Sequence, residues 1–157
     1  MRIRRAEARD RAELEGFLER WHSLRVARTG ALEHPLDHPI LVAERDGRIV
    51  GALTYVLGWD ACEILTLHAD ERGQGVGTAL IDAVTQIARD AGCRRLWLIT
   101  TNDNVDALRF YQRRGFRLAD LRPGAVDESR ATLKPEIPEI GDHGIPIRDE
   151  LRLEREI

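Results

Sequence analysis

The sequence has little cysteine, a single lysine and no long apolar run. Its two cysteines, Cys62 and Cys93, are too few for a disulfide framework or a zinc cluster, and they suit a reducing cytosol. The longest apolar stretch, Ile49 to Trp59, is about half of the ~20 residues that span a bilayer. The N-terminus also lacks the apolar core of a signal peptide. We therefore expect a cytoplasmic protein that does not act at a membrane.

The chain also lacks a strong charge of either sign. Its 24 Lys and Arg residues against 27 Asp and Glu residues give a net charge of −3, which argues against a dedicated nucleic-acid binder. Lys134 is the only lysine, and the scattered arginines indicate codon bias in a GC-rich bacterial genome rather than a phosphate-binding surface. A length of 157 residues is typical of one domain. We expect one domain over 1–157, with a core at 1–121, an ordered loop excursion at 122–146 and a final strand at 147–157.

The hydropathy pattern predicts an antiparallel meander in the first half of the chain. Asp46-Gly47 is a strong hairpin signal, and in the strand that starts at Cys62 we expect Leu65 and Leu67 on one face, with Ile64 and Thr66 on the other. The whole pattern predicts an α+β fold with a mixed sheet. The expected elements are an edge strand at 1–5, a helix at 6–21, a loop or short irregular turns at 22–39, strands at 40–45, 48–57 and 62–68, a helix from 76 to 91, a strand at 95–101, a second helix with N-cap candidates at 102–104 that ends at 115, a strand at 116–121 and a short helix near 127–133.

A glycine-rich loop precedes the most regular helix. Glycines let several backbone N–H groups approach a ligand at the positive end of the helix dipole, which favours a diphosphate. The loop lacks the Gly-Lys-Ser/Thr of a nucleoside-triphosphate P-loop, and its Gly-x-Gly-x-Gly spacing differs from the dinucleotide-binding fingerprint. A glycine-rich turn without a ligand is the alternative. The loop reads Arg72-Gly73-Gln74-Gly75-Val76-Gly77.

A second motif runs from Asn104 to Phe116. Residues 102–104, at and before its start, offer several helix N-cap candidates. Ala107, Phe110 and Tyr111 share one helical face. We expect Phe110 to be a core residue, whereas the Tyr111 hydroxyl needs a partner if it is buried.

Together, the strand, the Arg-x-x-Gly-x-Gly loop, its helix and the Asn-x-x-Ala-x-x-Phe-Tyr-x-x-x-Gly-Phe motif resemble the GNAT superfamily of acetyl-CoA-dependent N-acetyltransferases. The resemblance covers about residues 40 to 121. It implies a mixed, mostly antiparallel sheet that is flanked by helices and splayed between its fourth and fifth strands, with the co-substrate acetyl-CoA in the opening. No metal is implied.

The resemblance also assigns roles to particular residues. Leu67 would align the pantetheine arm and the acetyl carbonyl through its main chain. Asn104 and Ala107 would also contact the cofactor, and Tyr111 would lie near the sulfur and protonate the departing thiolate. The backbone amides that would bind the pyrophosphate belong to Arg72, Gly73, Gln74, Gly75, Val76, Gly77 and Thr78.

The implied reaction is direct transfer of acetyl to a primary amine of a small molecule or a protein, and this amine must first lose a proton. Glu63 is the candidate base. An exposed strand carboxylate is the alternative for Glu63, and His68, which faces away from Leu67, could act through water instead. A non-catalytic coenzyme A-binding sensor is the alternative function, and a homodimer formed through the last strand is left open.

Several further residues fall in segments that border the acceptor groove of similar proteins. Arg130, His143 and Arg148 would line an acceptor pocket if the excursion at 122–146 reaches it, and a plain structural loop is the alternative. The other candidates are Trp21, His22, Trp59 and Asp60, each of which is more typical of packing or surface.

Overall fold

The computed structural model describes residues 1–157. Its internal contacts divide the chain into two compact units. Unit 1 comprises residues 1–26, 34–96 and 157, and unit 2 comprises residues 27–33 and 97–156. The elements along the chain are β1 (Arg2–Arg5), α1 (Arg11–Arg20), β2 (Val26–Arg28), β3 (Ala31–Glu33), β4 (Ile40–Arg45), β5 (Arg48–Leu57), β6 (Ala61–Ala69), α2 (Val76–Asp90), β7 (Arg95–Thr101), α3 (Val105–Arg113), β8 (Arg117–Arg122), α4 (Ala125–Thr132) and β9 (Glu150–Glu156).

Unit 1 contains the predicted antiparallel meander. Its strands lie in the order β1-β4-β5-β6, and each neighbouring pair is antiparallel. Asp46 and Gly47 both have positive φ, 53° and 75°, as the predicted two-residue turn between β4 and β5 requires. One core cluster of this unit consists of the buried residues Leu14, Phe17, Ile40, Val42, Ile49 and Ala52, which join α1 to β4 and β5.

The predicted helix at 6–21 begins later than expected. The Asp10 carboxylate accepts the N–H of Glu7 at 2.7 Å and also binds the guanidinium of Arg4. This arrangement holds residues 8–10 in a single 3-10 turn, so that α1 starts only at Arg11. The buried Arg4–Asp10 pair therefore fixes both the end of β1 and the start of α1.

Unit 2 contains the strand order β7-β9-β8, and β8 is antiparallel to β9. The predicted loop or short irregular turns at 22–39 were wrong in part, because the segment contains a two-stranded ribbon of β2 and β3, whereas the 3-10 turn at Pro35–Asp37 agrees with the prediction. The final strand begins at Glu150 rather than at residue 147. The reason is that the amides of Arg148 and Asp149 donate to the Asn102 side chain instead of a neighbouring strand.

The predicted fold class is confirmed, with seven sheet strands that are mostly antiparallel and four α-helices. The assignment of 1–157 to one domain stays a prediction. None of the helices combines the length and apolar character needed to cross a membrane.

Candidate active site

The glycine loop of unit 1 connects β6 to α2 with an exposed backbone. Gly73 and Gly75 have φ values of 75° and 76°, a region that residues with a side chain rarely adopt. A Cβ at either glycine would meet no atom within 4 Å, so the space in front of the backbone is open. Gly75 is also the N-cap of α2 and offers no capping side chain. The N-cap of α2 therefore supplies no side-chain acceptor to the first turn, which is the arrangement that suits an anion such as a diphosphate.

The start of α2 is fixed by a close approach to β5. A Cβ on Gly51 would lie 2.5 Å from Cγ1 of Val76 and 3.2 Å from Cδ1 of Leu80. Both side chains are buried, so α2 reaches this depth only because β5 has a glycine there. Sequence reasoning missed Gly51, although a glycine inside a strand pattern is itself a signal of close backbone approach.

The predicted face alternation of β6 was wrong because the strand contains a β-bulge. Thr66 pairs with Thr54, but the next pair toward the start of β6 is Ile64 with Tyr55, which leaves Leu65 without an opposite residue. Paired residues of antiparallel strands share a face. Ile64 therefore lies on the face of Leu67 rather than on that of Thr66.

The bulge decides the orientation of Glu63. The register pairs Glu63 with Val56 and thereby puts it on the same face as Thr66 and His68. Glu63 is 3% exposed, so the alternative of an exposed strand carboxylate was wrong. A carboxylate that is buried on a strand is costly unless it has a structural partner or a function, and Glu63 does have interactions in the structure.

His68 belongs to a small polar and aromatic cluster at the end of α1. Its ring stacks on Trp21 with a centroid distance of 5.0 Å and an angle of 7° between the planes. Its Nε2 lies 2.8 Å from Oγ of Ser23, and that hydroxyl donates to the Trp21 carbonyl. Because a hydroxyl has one proton, Nε2 of His68 is then the donor to Ser23. Burial lowers the pKa of His68 to about 4, and the cluster as a whole favours a structural role over that of a base.

The two cysteines are buried and have the properties of core residues. Both are free thiols. Burial, together with the neighbouring Cys93 and Glu63, raises the pKa of Cys62 to about 12, and burial also raises the pKa of Cys93. Thiols in this state are poor nucleophiles. No group of three or more His, Cys, Asp or Glu side chains is arranged to hold a metal ion.

In unit 2, Asn104, one of the predicted N-cap candidates, is the N-cap of helix α3. The Asn104 side-chain oxygen accepts the N–H of Ala107 at 3.2 Å and so caps the helix. The amide nitrogen of Asn104 carries two protons that the cap does not use. Asn104 can therefore cap α3 and still donate to a ligand carbonyl.

Tyr111 lies on the buried side of α3 with 7% of its surface exposed. Its ring makes edge-to-face contacts with Phe110, at 5.2 Å, and with Phe116, at 5.3 Å. Burial raises the pKa of its phenol above the usual range, against a small opposing effect of Arg114. Tyr111 is therefore protonated at neutral pH. Phe110 was predicted to be a core residue but is only half-buried, and the Arg114 guanidinium covers its ring at 3.6 Å from the centroid.

Comparisons with known proteins agree on one family. The profile of the Acetyltransferase (GNAT) family matches residues 4–116, which is most of the chain. The chain belongs to this family. The predicted resemblance is thus confirmed, and so is the predicted enzyme class, an acyltransferase, at the level of the family.

Two relatives from Bacillus subtilis (strain 168) show the same relationship. The chain is 49% identical over 105 residues to the uncharacterized protein YdhI, a match that covers 67% of this chain and 65% of YdhI. It is 47% identical over 112 residues to the uncharacterized protein YxbD, which covers 71% of this chain and 70% of YxbD. The chain thus spans about two thirds of the length of these relatives.

The fold is also that of solved GNAT structures. A GNAT family acetyltransferase from Elizabethkingia anophelis, crystallised with acetyl-CoA bound, superimposes with a TM-score of 0.69 and 21% identity. The superposition covers 99% of this chain and 97% of that chain. At this identity the likeness establishes the shared fold.

The remaining acceptor candidates of this GNAT protein lie in several different surroundings. Trp59 is 95% exposed at the turn between β5 and β6, and Asp60 lies 3.8 Å from Arg94 and from Arg95.

In unit 2, Arg130 donates to the carbonyls of residues 137, 138 and 147 and pairs with Asp127, so its guanidinium holds the loop together. A polar cavity of about 350 Å³ beside it is lined by Asp127, Arg130, Glu139, Ile140, Pro146, Ile147 and Arg148.

Proposed function

We propose that this GNAT protein transfers the acetyl group of acetyl-CoA directly to a primary amine. The observation that carries the proposal is the uncapped start of α2 behind Gly73 and Gly75, whose open backbone suits a diphosphate. Acetyl-CoA supplies both that diphosphate and the thioester that reacts. We also propose a cytoplasmic, bacterial setting, which the two free cysteines and the arginine-rich composition support.

Residues of unit 1 would hold the diphosphate and the pantetheine arm. The amides from Arg72 to Thr78 would donate to the phosphate oxygens, where the helix dipole adds a favourable interaction of roughly 0.3–1 kcal/mol. The main chain of Leu67 would pair with the pantetheine amide as one strand pairs with another. Leu67 itself pairs with Leu53 of β5, which fixes the strand geometry that this contact needs.

Residues at the start of α3 would also contact the pantetheine arm. We assign to the free amide protons of Asn104 a hydrogen bond to a pantetheine carbonyl, and to Ala107 a close contact that its small side chain permits. Because the Asn104 oxygen is committed to the helix cap, the amide is held in one orientation.

Glu63 is the proposed general base. The acceptor arrives as an ammonium ion, and it must lose a proton before its nitrogen lone pair can attack the thioester carbonyl. A carboxylate within reach of that proton, directly or through one water, can take it. The burial of Glu63 supports this role, because a carboxylate that is largely removed from water needs a partner or a function.

Tyr111 would stabilise the leaving group. When the new C–N bond forms and the C–S bond breaks, negative charge collects on the sulfur. A thiol has a pKa near ~8.5, below that of a phenol, and burial raises the pKa of Tyr111 further. Full proton transfer from Tyr111 to the thiolate is therefore uphill, so we assign to Tyr111 a hydrogen bond to the sulfur that strengthens as the charge develops. The thiolate then takes up the second proton that the attacking nitrogen loses as the amide forms.

An acetyl-transfer assay tests the function. The protein is incubated with acetyl-CoA and a panel of small primary amines and peptide N-termini, and the released thiol of coenzyme A is measured. We expect amine-dependent thiol release that falls by roughly 10²-fold or more in Glu63→Gln. Glu150→Gln is the matched control, since Glu150 is equally buried but accepts the Thr29 amide in unit 2. Tight acetyl-CoA binding without transfer to any amine would instead favour a coenzyme A sensor.

A further inference from the structure

The end of β7 holds a segment of the C-terminal tail through the side chain of Asn102. Its Nδ2 donates to the Pro146 carbonyl at 2.9 Å, and its Oδ1 accepts the amides of Arg148 and Asp149 at 2.9 and 3.0 Å. The Asn102 amide also donates to the Asp149 carbonyl at 3.1 Å. Both the side chain and the backbone amide of Asn102 thus form hydrogen bonds with residues 146–149.

Asp103 makes the second attachment, to residues 141 and 142. Only 5% of it is exposed. Its Oδ1 accepts the Thr101 hydroxyl at 2.5 Å and its Oδ2 accepts the Asp142 amide at 3.0 Å. Gly141 lies so close that a Cβ there would clash with Oδ2 of Asp103 and would lie 2.6 Å from Cγ1 of Ile147. A buried carboxylate oxygen is costly without a donor, and the donor to Oδ2 of Asp103 is the Asp142 amide of the tail.

Both attachments lie directly before α3. The Asn104 amide donates to the Thr101 carbonyl, and the Val105 amide donates to the Asp103 carbonyl. Nε2 of His143 lies 3.4 Å from a carboxylate oxygen of Asp106, in the first turn of α3. Residues 141–143 and residues 146–149 of the tail therefore both contact the segment between β7 and the first turn of α3. This segment includes Asn104, which caps the helix.

We propose that residues 141–149, the docked tail, hold the start of α3 in the orientation that acetyl-CoA needs. The proposal rests on the proposed function, since it assigns Asn104 and Tyr111 to that ligand. Asp103 and Gly141 are then positioning residues, which act through Asn104 and do not themselves touch the co-substrate. The docked tail lies outside residues 4–116, the part of the chain that the family profile matches. The contacts of the docked tail are therefore not implied by the family match.

The test compares four variants by steady-state kinetics with acetyl-CoA and by hydrogen exchange of the α3 amides without ligand. Asp103→Ala removes the acceptor, and Gly141→Ala pushes the docked tail away. Asp103→Asn keeps one acceptor oxygen and serves as a partial rescue. Asp142→Ala is the matched control, because the bond to Asp103 uses the backbone amide of Asp142 and its own side chain is exposed. Circular dichroism checks that each variant is folded.

We expect Asp103→Ala and Gly141→Ala to raise the KM for acetyl-CoA roughly tenfold, because a small displacement of Asn104 weakens binding. The kcat should change less, about twofold, because Tyr111 lies near the other end of α3. The α3 amides should exchange faster in both. Asp103→Asn should lie between them and the wild type, and Asp142→Ala should match the wild type. Folded Asp103→Ala and Gly141→Ala proteins with unchanged KM and unchanged exchange would overturn the proposal while leaving the function intact. Failure of the wild type to bind acetyl-CoA would remove the proposed function, and the exchange data would then still report whether the docked tail orders α3.

Discussion

His68 lies face to face with Trp21, with ring centroids 5.0 Å apart, and donates through Nε2 to the Ser23 hydroxyl. This stacking joins the end of α1 to β6 and keeps the imidazole away from water. Burial accordingly lowers the pKa of His68 to about 4, from about 6.5 for the free side chain.

The depressed pKa of His68 makes the stability of the protein depend on pH. Between pH 6.5 and 4 the unfolded chain binds a proton at His68 that the folded protein does not, so stability falls as the pH falls through this window. We expect a loss of about 2 kcal/mol in the free energy of unfolding over this range. Urea unfolding at several pH values should show a smaller loss in His68→Gln. His34→Gln, at an exposed histidine, should keep the wild-type slope, and an equal slope in all three proteins would contradict the prediction.

The Arg4–Asp10 pair should contribute strongly to the stability of unit 1. Both side chains are over nine-tenths buried, and Arg4 makes two hydrogen bonds to the carboxylate, at 2.8 and 2.9 Å. The Arg4 guanidinium holds the pKa of Asp10 well below its usual range, so this stability is present above pH ~4 and is lost as the pH falls below it. We expect Asp10→Asn to cost about 1–3 kcal/mol, because Arg4 loses one of its two carboxylate partners and keeps only Glu44, 3.3 Å from its Nε.

An exposed carboxylate provides the control for Asp10. Glu15 pairs with Arg11 at 3.6 Å on the surface of α1, where such pairs contribute about 0.3–0.5 kcal/mol. Denaturant unfolding of Glu15→Gln should therefore give nearly the wild-type value. A cost for Asp10→Asn as small as that for Glu15→Gln would contradict the account of this pair.

Gly51→Ala should disturb the start of α2 although it adds a single methyl group. The new Cβ would lie 2.5 Å from Cγ1 of Val76, so the helix or the strand must move. We expect a cost of roughly 1–3 kcal/mol in unfolding free energy and weaker acetyl-CoA binding. Gly16→Ala is the matched control within α1: nothing lies within 4 Å of its Cβ, and it should stabilise the protein by about 1 kcal/mol. Wild-type stability and affinity in Gly51→Ala would show that α2 does not depend on this contact.

Tyr111→Phe should lower kcat by roughly 10- to 100-fold, the effect of removing a hydrogen bond to a charged group. Its KM for acetyl-CoA should stay within about twofold, because the ring and its contacts with Phe110 and Phe116 remain. Tyr55→Phe, at the chain's other tyrosine, is the control and should keep the wild-type kcat. An unchanged kcat in Tyr111→Phe would remove the phenol from the mechanism.

The sequence predicted most of the fold because the decisive signals are local. Three features depend only on residues that are close together in the sequence: the Asp46-Gly47 turn, the apolar stripe of α2 and the Asn104 cap. The ribbon of β2 and β3 was missed because the neighbouring steps His34-Pro35 and His38-Pro39 indicate only local turns. The late start of β9 depends on Asn102, which is 46 residues away from Arg148 in the sequence.

The candidate site was predicted less completely, for a related reason. The bulge at Leu65 depends on the register of β6 against β5, which no pattern within β6 reveals. It decides which face Glu63 occupies. The attachment of the docked tail to Asp103 likewise joins residues 39 apart in the sequence, and only the folded chain brings them together.

The binding of acetyl-CoA to the glycine loop is tested most directly by titration calorimetry of the wild type and two glycine variants. Gly75→Glu introduces a negative side chain where the diphosphate would lie. Gly47→Glu makes the same substitution at nearly the same φ, 75° against 76°, in the turn between β4 and β5, and so controls for backbone strain. We predict micromolar binding by the wild type and by Gly47→Glu, and no measurable binding by Gly75→Glu. Equal affinity in all three proteins, or no binding by the wild type, would contradict the proposal that this loop holds the co-substrate.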